Sequence, residues 1–360
     1  MAGKKKNQVV ETVNEANENA IQNKEIEGLS QGQIVLRRFV RHRAAMIALF
    51  SLIGIILFVY TASGIHLGTE KNPITVQGWW HYSINDRPEL IFGDACPDGS
   101  TGCPSLDLNP FDGNGNFGLG DHPFGQDDIG RDYFALVMRG AEQSIMIMFI
   151  IGSMGGIIGT VIGAIAGYFR GRIDGFLMRL TDLVITIPAI IIGAVIGYKV
   201  GNLGVVVLGF YLGLFAWTGL ARLVRGEFLS LREREFVDAA RVAGASNRRI
   251  IFKHILPNAV GIIIVSVTLS MSGAILLETG LSYLGFGVVA PDVSLGSLIS
   301  QYQDSFTTRP WLFWWPGFFI ISIALCINFI GDGLRDAFDP RQRRRITKKD
   351  RENARVASKA

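Results

Sequence analysis

Six apolar runs divide the chain: Ala44–Ile65, Ile145–Phe169, Leu180–Tyr198, Leu203–Leu223, Ala259–Leu277 or a little beyond, and Phe313–Ile330. Each spans or nearly spans a bilayer, which takes about 20 residues of helix. The third is the weakest, because Arg179 and Asp182 cut its uncharged stretch to Leu183–Tyr198. Pro188 inside it is tolerable, since neighbouring helices in a membrane can re-satisfy the freed carbonyl. Between the first two runs, residues 66–140 are rich in Gly, Pro, Asn and Asp, which predicts turns more than regular elements. Residues 1–30 are polar without a sustained apolar face, and disorder is expected there. From Ser30, "SQGQIVLRRFVRHR" interleaves Ile34, Val35, Leu36, Phe39 and Val40 with arginines. It reads either as an amphipathic helix on the inner membrane surface or as a plain basic flank that fixes topology.

The pattern therefore predicts an all-α integral membrane protein with six transmembrane helices and five segments. These are a disordered tail (1–30), an elbow plus first span (31–65), an extracytoplasmic loop region (66–140), a core (141–335) and a basic tail (336–360). Composition agrees. Of 360 residues, 49% are apolar and only 18% charged, below the roughly 25% of soluble proteins. The 43 glycines fit packed membrane helices, where small residues let backbones approach.

A net charge of +4 is too slight to imply nucleic acid, but its distribution orients the spans. Eight basic residues precede the first run, against four in residues 66–140, where eleven Asp and Glu lie. Arg170, Arg172 and Arg179 mark the second connection, eight basic residues the fourth (Arg222–Lys253), and ten the tail after Asp332; the third and fifth are nearly bare. The alternation places both termini in the cytoplasm. Residues 1–43 are far longer than the basic n-region of a cleavable signal, so none is expected.

Little in the sequence carries catalytic chemistry. It contains no G-x-x-x-x-G-K-[ST] phosphate loop, no H-E-x-x-H, no G-x-S-x-G and no Cys/His metal cluster. "DGNGNFG" (Asp112–Gly118) starts with EF-hand spacing, but Phe117 stands where Gly is needed and Pro123 where Glu is needed. Cys96 and Cys103, on the oxidising side, are candidates for a disulfide across a small loop; Cys326 is an apolar filler within a span. Asp182, Asn328 and Asp332 fall near cytoplasmic ends, as wetted boundary residues. Glu278 lies deep in its run, just before "TGLSYLGFG". It is a candidate pathway or gate residue, or else a tie to that Gly-rich turn.

The most polar helical stretch sits between two apolar runs. In "LREREFVDAARVAG", Phe236, Ala239, Ala240 and Ala243 recur at i, i+3, i+4 and i+7 and form one small-surfaced stripe. Gly244 supplies a left-handed stop. Ser246 suits the N-cap of a second short helix, "NRRIIFKHIL", and Pro257 predicts a turn before the chain re-enters the membrane. Two short helices at an angle then project from the cytoplasmic face, shaped for a partner's groove with Phe236 as anchor.

That stretch, "DAARVAGASNRRIIFKHILP", resembles the cytoplasmic EAA loop of permease subunits in binding-protein-dependent ABC importers: acid-Ala-Ala, a Gly four residues past the second Ala, and a closing Leu-Pro. The family's usual Glu is Asp238 here. "HPFGQDDIGRDYFALVMRGAEQS", "RGRIDGFLMRLTDLVITIP", "ETGLSYLGFG" and "NFIGDGLRDAFDPR" resemble C-type dipeptide and oligopeptide permeases, and the likeness runs from about Leu36 to Arg341. It implies a type I ABC importer permease fold in a bacterial cytoplasmic membrane, with a loop-rich insert between helices 1 and 2. It also implies a non-catalytic subunit that carries half of a peptide path. Its partners would be a homologous permease, two cytoplasmic ATPases that bind ATP and Mg, and an extracytoplasmic peptide-binding protein. Contact with the ATPases would fall on the 226–257 loop, through Phe236, Asp238, Ala239, Ala240, Gly244, Ala245, Ser246, Arg249 and Pro257. A sibling permease for nickel or another small solute is the nearest alternative. An ion-coupled secondary transporter lacks support, since no repeated halves or clearly mid-bilayer acid are seen.

Overall fold

The computed structural model describes residues 31–69, 72–91, 96, 101–105 and 120–339. The residue 1–30 tail, the Asp112–Gly118 segment and almost all of the C-terminal tail lie outside them. Among the described residues the fold is helical apart from one hairpin. Helix α1 (Gln31–Arg41) is amphipathic, as its pattern predicts. Phe39 is buried on its inner face, while Leu36 and Val40 stay exposed. At His42 the chain breaks, and the ring Nδ1 accepts the backbone N–H of Ala45 (3.1 Å). This caps α2 (Arg43–Ser63), the first span.

Strands β1 (Gly64–Thr69) and β2 (Asn72–Gln77) follow directly, paired antiparallel from Gly64↔Gln77 to Thr69↔Asn72. The turn-rich composition predicted no regular element here; the overlooked signal is the alternation of "GIHLGT" and "NPITVQ" across a two-residue loop.

Helix α3 (Tyr133–Phe169) is the central column, packed against seven other helices among the described residues. It starts a dozen residues before the apolar run at Ile145, and before the expected core boundary at 141. "RGAEQS" looked like a polar stop, but Arg139 and Glu142 neutralise each other across one turn (2.7 Å), and the Glu142 carboxylate is buried. Asp132 caps the helix through the Ala135 N–H (2.8 Å).

Runs three and four are not straight. They form α4 (Gly171–Thr186) with α5 (Ala189–Val200), bent by 79°, and α6 (Val205–Gly213) with α7 (Thr218–Arg232), bent by 42°. Pro188 withholds the N–H and disfavours helix at Ile187, which breaks the first pair. The Leu214–Trp217 turn breaks the second. Helices α2 and α3, the 37-residue helix Asn247–Tyr283 and the last long helix each suffice to cross a membrane, which gives four spans, or up to six if each bent pair is one span.

Glycines 155, 159, 163 and 167 make a four-residue repeat that lets α3 touch α7. A Cβ at Gly163 would lie 2.5 Å from the Ala221 carbonyl oxygen, so the backbones are in contact. Past α7 come the short helices α8 (Glu235–Val242) and α9 (Asn247–Arg249) and then the long helix α10 (Leu256–Tyr283). Helix α11 (Leu295–Tyr302) and the last span, α12 (Trp311–Phe338), complete the core.

Candidate functional site

Past α7, the EAA-like stretch forms α8 (Glu235–Val242), then the three-residue turn α9 (Asn247–Arg249). Gly244 takes φ +77°. The Gly244 N–H bonds the Arg241 carbonyl (2.9 Å) and the Ala245 N–H bonds that of Ala240 (3.0 Å). This paired closure is the Schellman end that the left-handed glycine permits. Nothing lies within 4 Å of a Cβ built there, so conformation and not space demands glycine. Ser246 Oγ accepts the Arg249 N–H at 3.4 Å and caps the next helix.

At Pro257 the expected turn does not occur. Residues Ile250–Ile255 form a π-helical turn that runs without a break into α10, with Pro257 in its first turn. The wider turn sends the Leu256 N–H to the Ile251 carbonyl, which shifts the ladder just where proline would interrupt it. The second projecting helix is thus the foot of a membrane span.

One face of the loop packs inward. Val237, Ile250 and Ile255 are fully or almost fully buried against Val224, Phe228 and Tyr168 in a small cluster of their own. Tyr168 Oη donates to Asn247 Oδ1 (2.7 Å). The Arg232 guanidinium donates to the Tyr168 carbonyl and stacks over its ring. Arg170 pairs with Glu233 at 2.5 Å. The foot of α3 thereby holds both ends of the loop.

The other face is open. Phe236, Asp238, Ala239, Ala243 and Arg249 are exposed, as are Gly244, Ser246 and Pro257; Ala240 and Ala245 are half-buried against the inner cluster. The structure therefore splits the predicted stripe, turning Ala240 inward. It adds two apolar residues that sequence reasoning missed, Val242 (90% exposed) and Phe252 (63%). Asp238 is paired within its own helix to Arg241 (2.8 Å).

On the opposite end, Glu278 is fully buried. A cavity of 220 Å³ between α3, α7 and α10 is lined by Leu277, Ser270 and Gly273 among others. The Glu278 carboxylate accepts Ser144 Oγ (2.9 Å) and Ser282 Oγ (2.7 Å). Those hydroxyls accept the Leu295 and Val288 N–H groups. Through these bonds Glu278 links α3 to the α10–α11 connection. Cys96 and Cys103 are joined as a disulfide, Cα–Cα 5.7 Å. Arg309 clamps this segment through Thr101 and Asp128, both at 2.5 Å. Beside it, burial and the adjacent Asp127 carboxylate push the Tyr302 hydroxyl well above the usual phenol range. Among the described residues, no group of three or more His, Cys, Asp or Glu is placed to hold a metal.

Comparison with known proteins gives a consistent picture. Residues 159–344 match the family described as binding-protein-dependent transport system inner membrane component. Residues 30–74 match the N-terminal transmembrane domain of oligopeptide transport permease C. The oligopeptide transport system permease protein OppC of Haemophilus influenzae is 34% identical over 90% of this chain and 93% of its own. OppC of Escherichia coli K12 is 33% identical over 91% and 96%. OppC of Mycobacterium tuberculosis is 41% identical over 62% and 77%. A chain of the MetNI methionine ABC transporter, in an inward-facing form, aligns with a TM-score of 0.48 at 19% identity, over 57% of this chain and 96% of that one. With the family profile covering more than half of the chain and two relatives matched almost end to end, the chain belongs to the inner membrane permease components of binding-protein-dependent ABC transport systems.

Proposed function

We propose that the chain is the C-type permease subunit of an ATP-driven di- or oligopeptide importer, forming half of the path through a bacterial cytoplasmic membrane. The observation that carries this reading is the two-faced loop at 235–257, its inner face fixed to α3 and α7 and its outer face of Phe236, Ala239, Val242 and Ala243 uncovered. End-to-end similarity to oligopeptide permeases supports the peptide as substrate. The partners are a homologous permease, an extracytoplasmic peptide-binding protein and two cytoplasmic ATPases that hold ATP and Mg. No covalent chemistry falls to this chain. Both termini lie in the cytoplasm, on the side of the loop.

In this reading the loop is a lever. Closure of the ATPase pair moves the docked face, and the buried Val237–Ile250–Ile255 face passes the motion to α3, α7 and α10 as one body. Driving such a two-state switch nearly to completion takes about 5.5 kcal/mol of differential binding, which the ATPases supply. The test replaces Gly244 with Val. A β-branched residue at φ +77° is strained, so the α8 end should unwind, and ATPase co-purification and peptide uptake should both fall. Normal assembly together with normal uptake would sink the coupling role.

A further inference from the structure

Helix α4 carries a polar and small face that runs from the basic connection at Arg172 and Arg179 into the bent pair that is apolar enough to span. Arg172, Gly175, Arg179, Asp182 and Thr186 recur at i, i+3, i+7, i+10 and i+14, hence on one face, and all five are exposed. Thr181 alone is buried in this helix. On α7, Gly219, Arg222, Gly226 and Ser230 form a second exposed polar and small face. A Cβ at Gly175, Gly219 or Gly226 would meet nothing within 4 Å, so space lies open before both helices.

The two faces meet at Asp182 and Arg222, paired at 2.5 Å with side chains 60% and 48% exposed. Asp182 is eleven residues into α4, about 16 Å from its start at 1.5 Å per residue, within a bent pair apolar enough to span. Among the described residues, no carboxylate pairs with Arg172 or Arg179. Hydrocarbon does not tolerate such a face, and a covering protein would have to pair each guanidinium. Water satisfies all of it.

We infer that this face of α4, joined by Arg222, is a water-filled wall of the transport path, and that Asp182 and Arg222 part to receive the two charged ends of a peptide. The inference rests on the peptide reading above. A peptide with free ends carries one ammonium and one carboxylate, and the separated pair offers a partner for each.

The experiment uses the complete importer in proteoliposomes, with Cys326→Ala as background. In it, Thr186→Cys and Ile185→Cys sit at one depth on different faces of α4. A membrane-impermeant maleimide should label Thr186→Cys at least ten-fold faster; equal rates would overturn the wall. With a free-ended tripeptide, Asp182→Asn and Arg222→Gln should each lower transport about ten-fold at normal assembly. The exchange Asp182→Arg with Arg222→Asp should not restore it. Recovery by the exchange would make the pair an interhelical strut and refute the peptide contact. A wild-type importer that moves no peptide but shows the labelling contrast would refute the peptide reading and leave the wall standing.

Discussion

The seam between α3 and α7 sets a test of how the loop is held. An added Cβ at Gly163 would sit 2.5 Å from the Ala221 carbonyl oxygen and 2.8 Å from Val224 Cβ. Ordinary contact needs at least 3.4 Å, so the helices must part by the better part of an ångström. Overpacking of this kind costs about 1–3 kcal/mol. Alanine in place of glycine regains about 1 kcal/mol of helix propensity, so Gly163→Ala nets a loss of about 0–2 kcal/mol. Gly163→Leu adds three more carbons against backbone that cannot move aside, and its loss exceeds 3 kcal/mol on the same scale. Gly54, within α2, is the control, because nothing lies within 4 Å of its Cβ. The assay is reversible unfolding in detergent, followed by ATPase co-purification. The expected order of stability is Gly54→Leu near wild type, Gly163→Ala below it, Gly163→Leu far below. A Gly163→Leu protein as stable as Gly54→Leu would refute the idea that close backbone approach holds α7, and with it the loop.

Substitutions at two further positions probe the ends of the molecule. Val242→Ser removes the most exposed valine of the outer face; since burying such a side chain is worth about 1.5–3 kcal/mol, ATPase affinity should fall about ten-fold or more by titration, with stability unchanged. Unaltered affinity would place the docking contact elsewhere. Glu278→Leu leaves the Ser144 and Ser282 hydroxyls without their acceptor at about 1–3 kcal/mol each, whereas Glu278→Gln keeps an acceptor. Equal thermal stability of the leucine and glutamine variants would contradict the tie.

The apolar runs made the spans legible, since hydrocarbon leaves few alternatives to helix, and the caps at Gly244 and Ser246 were legible because each depends on one residue's local chemistry. What escaped was whatever depended on a neighbour. The start of α3 was hidden by Arg139 and Glu142, which look like a stop until they pair. The 79° bend was hidden because Pro188 can kink a helix or end it, and only the surroundings decide. Pro257 misled in the opposite direction: the π-helical turn before it absorbs the lost hydrogen bond, and no pattern in "IIFKHI" announces a wider turn. Val242 escaped because the stripe was drawn by small size, and the inner cluster then rotated that stripe.

The same rotation settles what Asp238 does within its own chain. Its carboxylate is held by Arg241, one turn on, a surface pair of the kind that contributes a few tenths of a kcal/mol to a helix. A glutamate there could reach the same guanidinium, so the shorter side chain costs the loop almost nothing in its free form. The docked form differs, because any partner cation must first draw Asp238 from Arg241, and exposed pairs give way easily. Apolar groups face no such competition: Phe236, Val242 and Phe252 have nothing to release except water. In the proposed docking, those three are therefore expected to carry the strength of the contact, with Asp238 contributing orientation and sign of charge. Under the proposed docking, the acid could then shorten from Glu to Asp while the acid-Ala-Ala frame, the left-handed glycine and the buried Val237 keep the outer face in register.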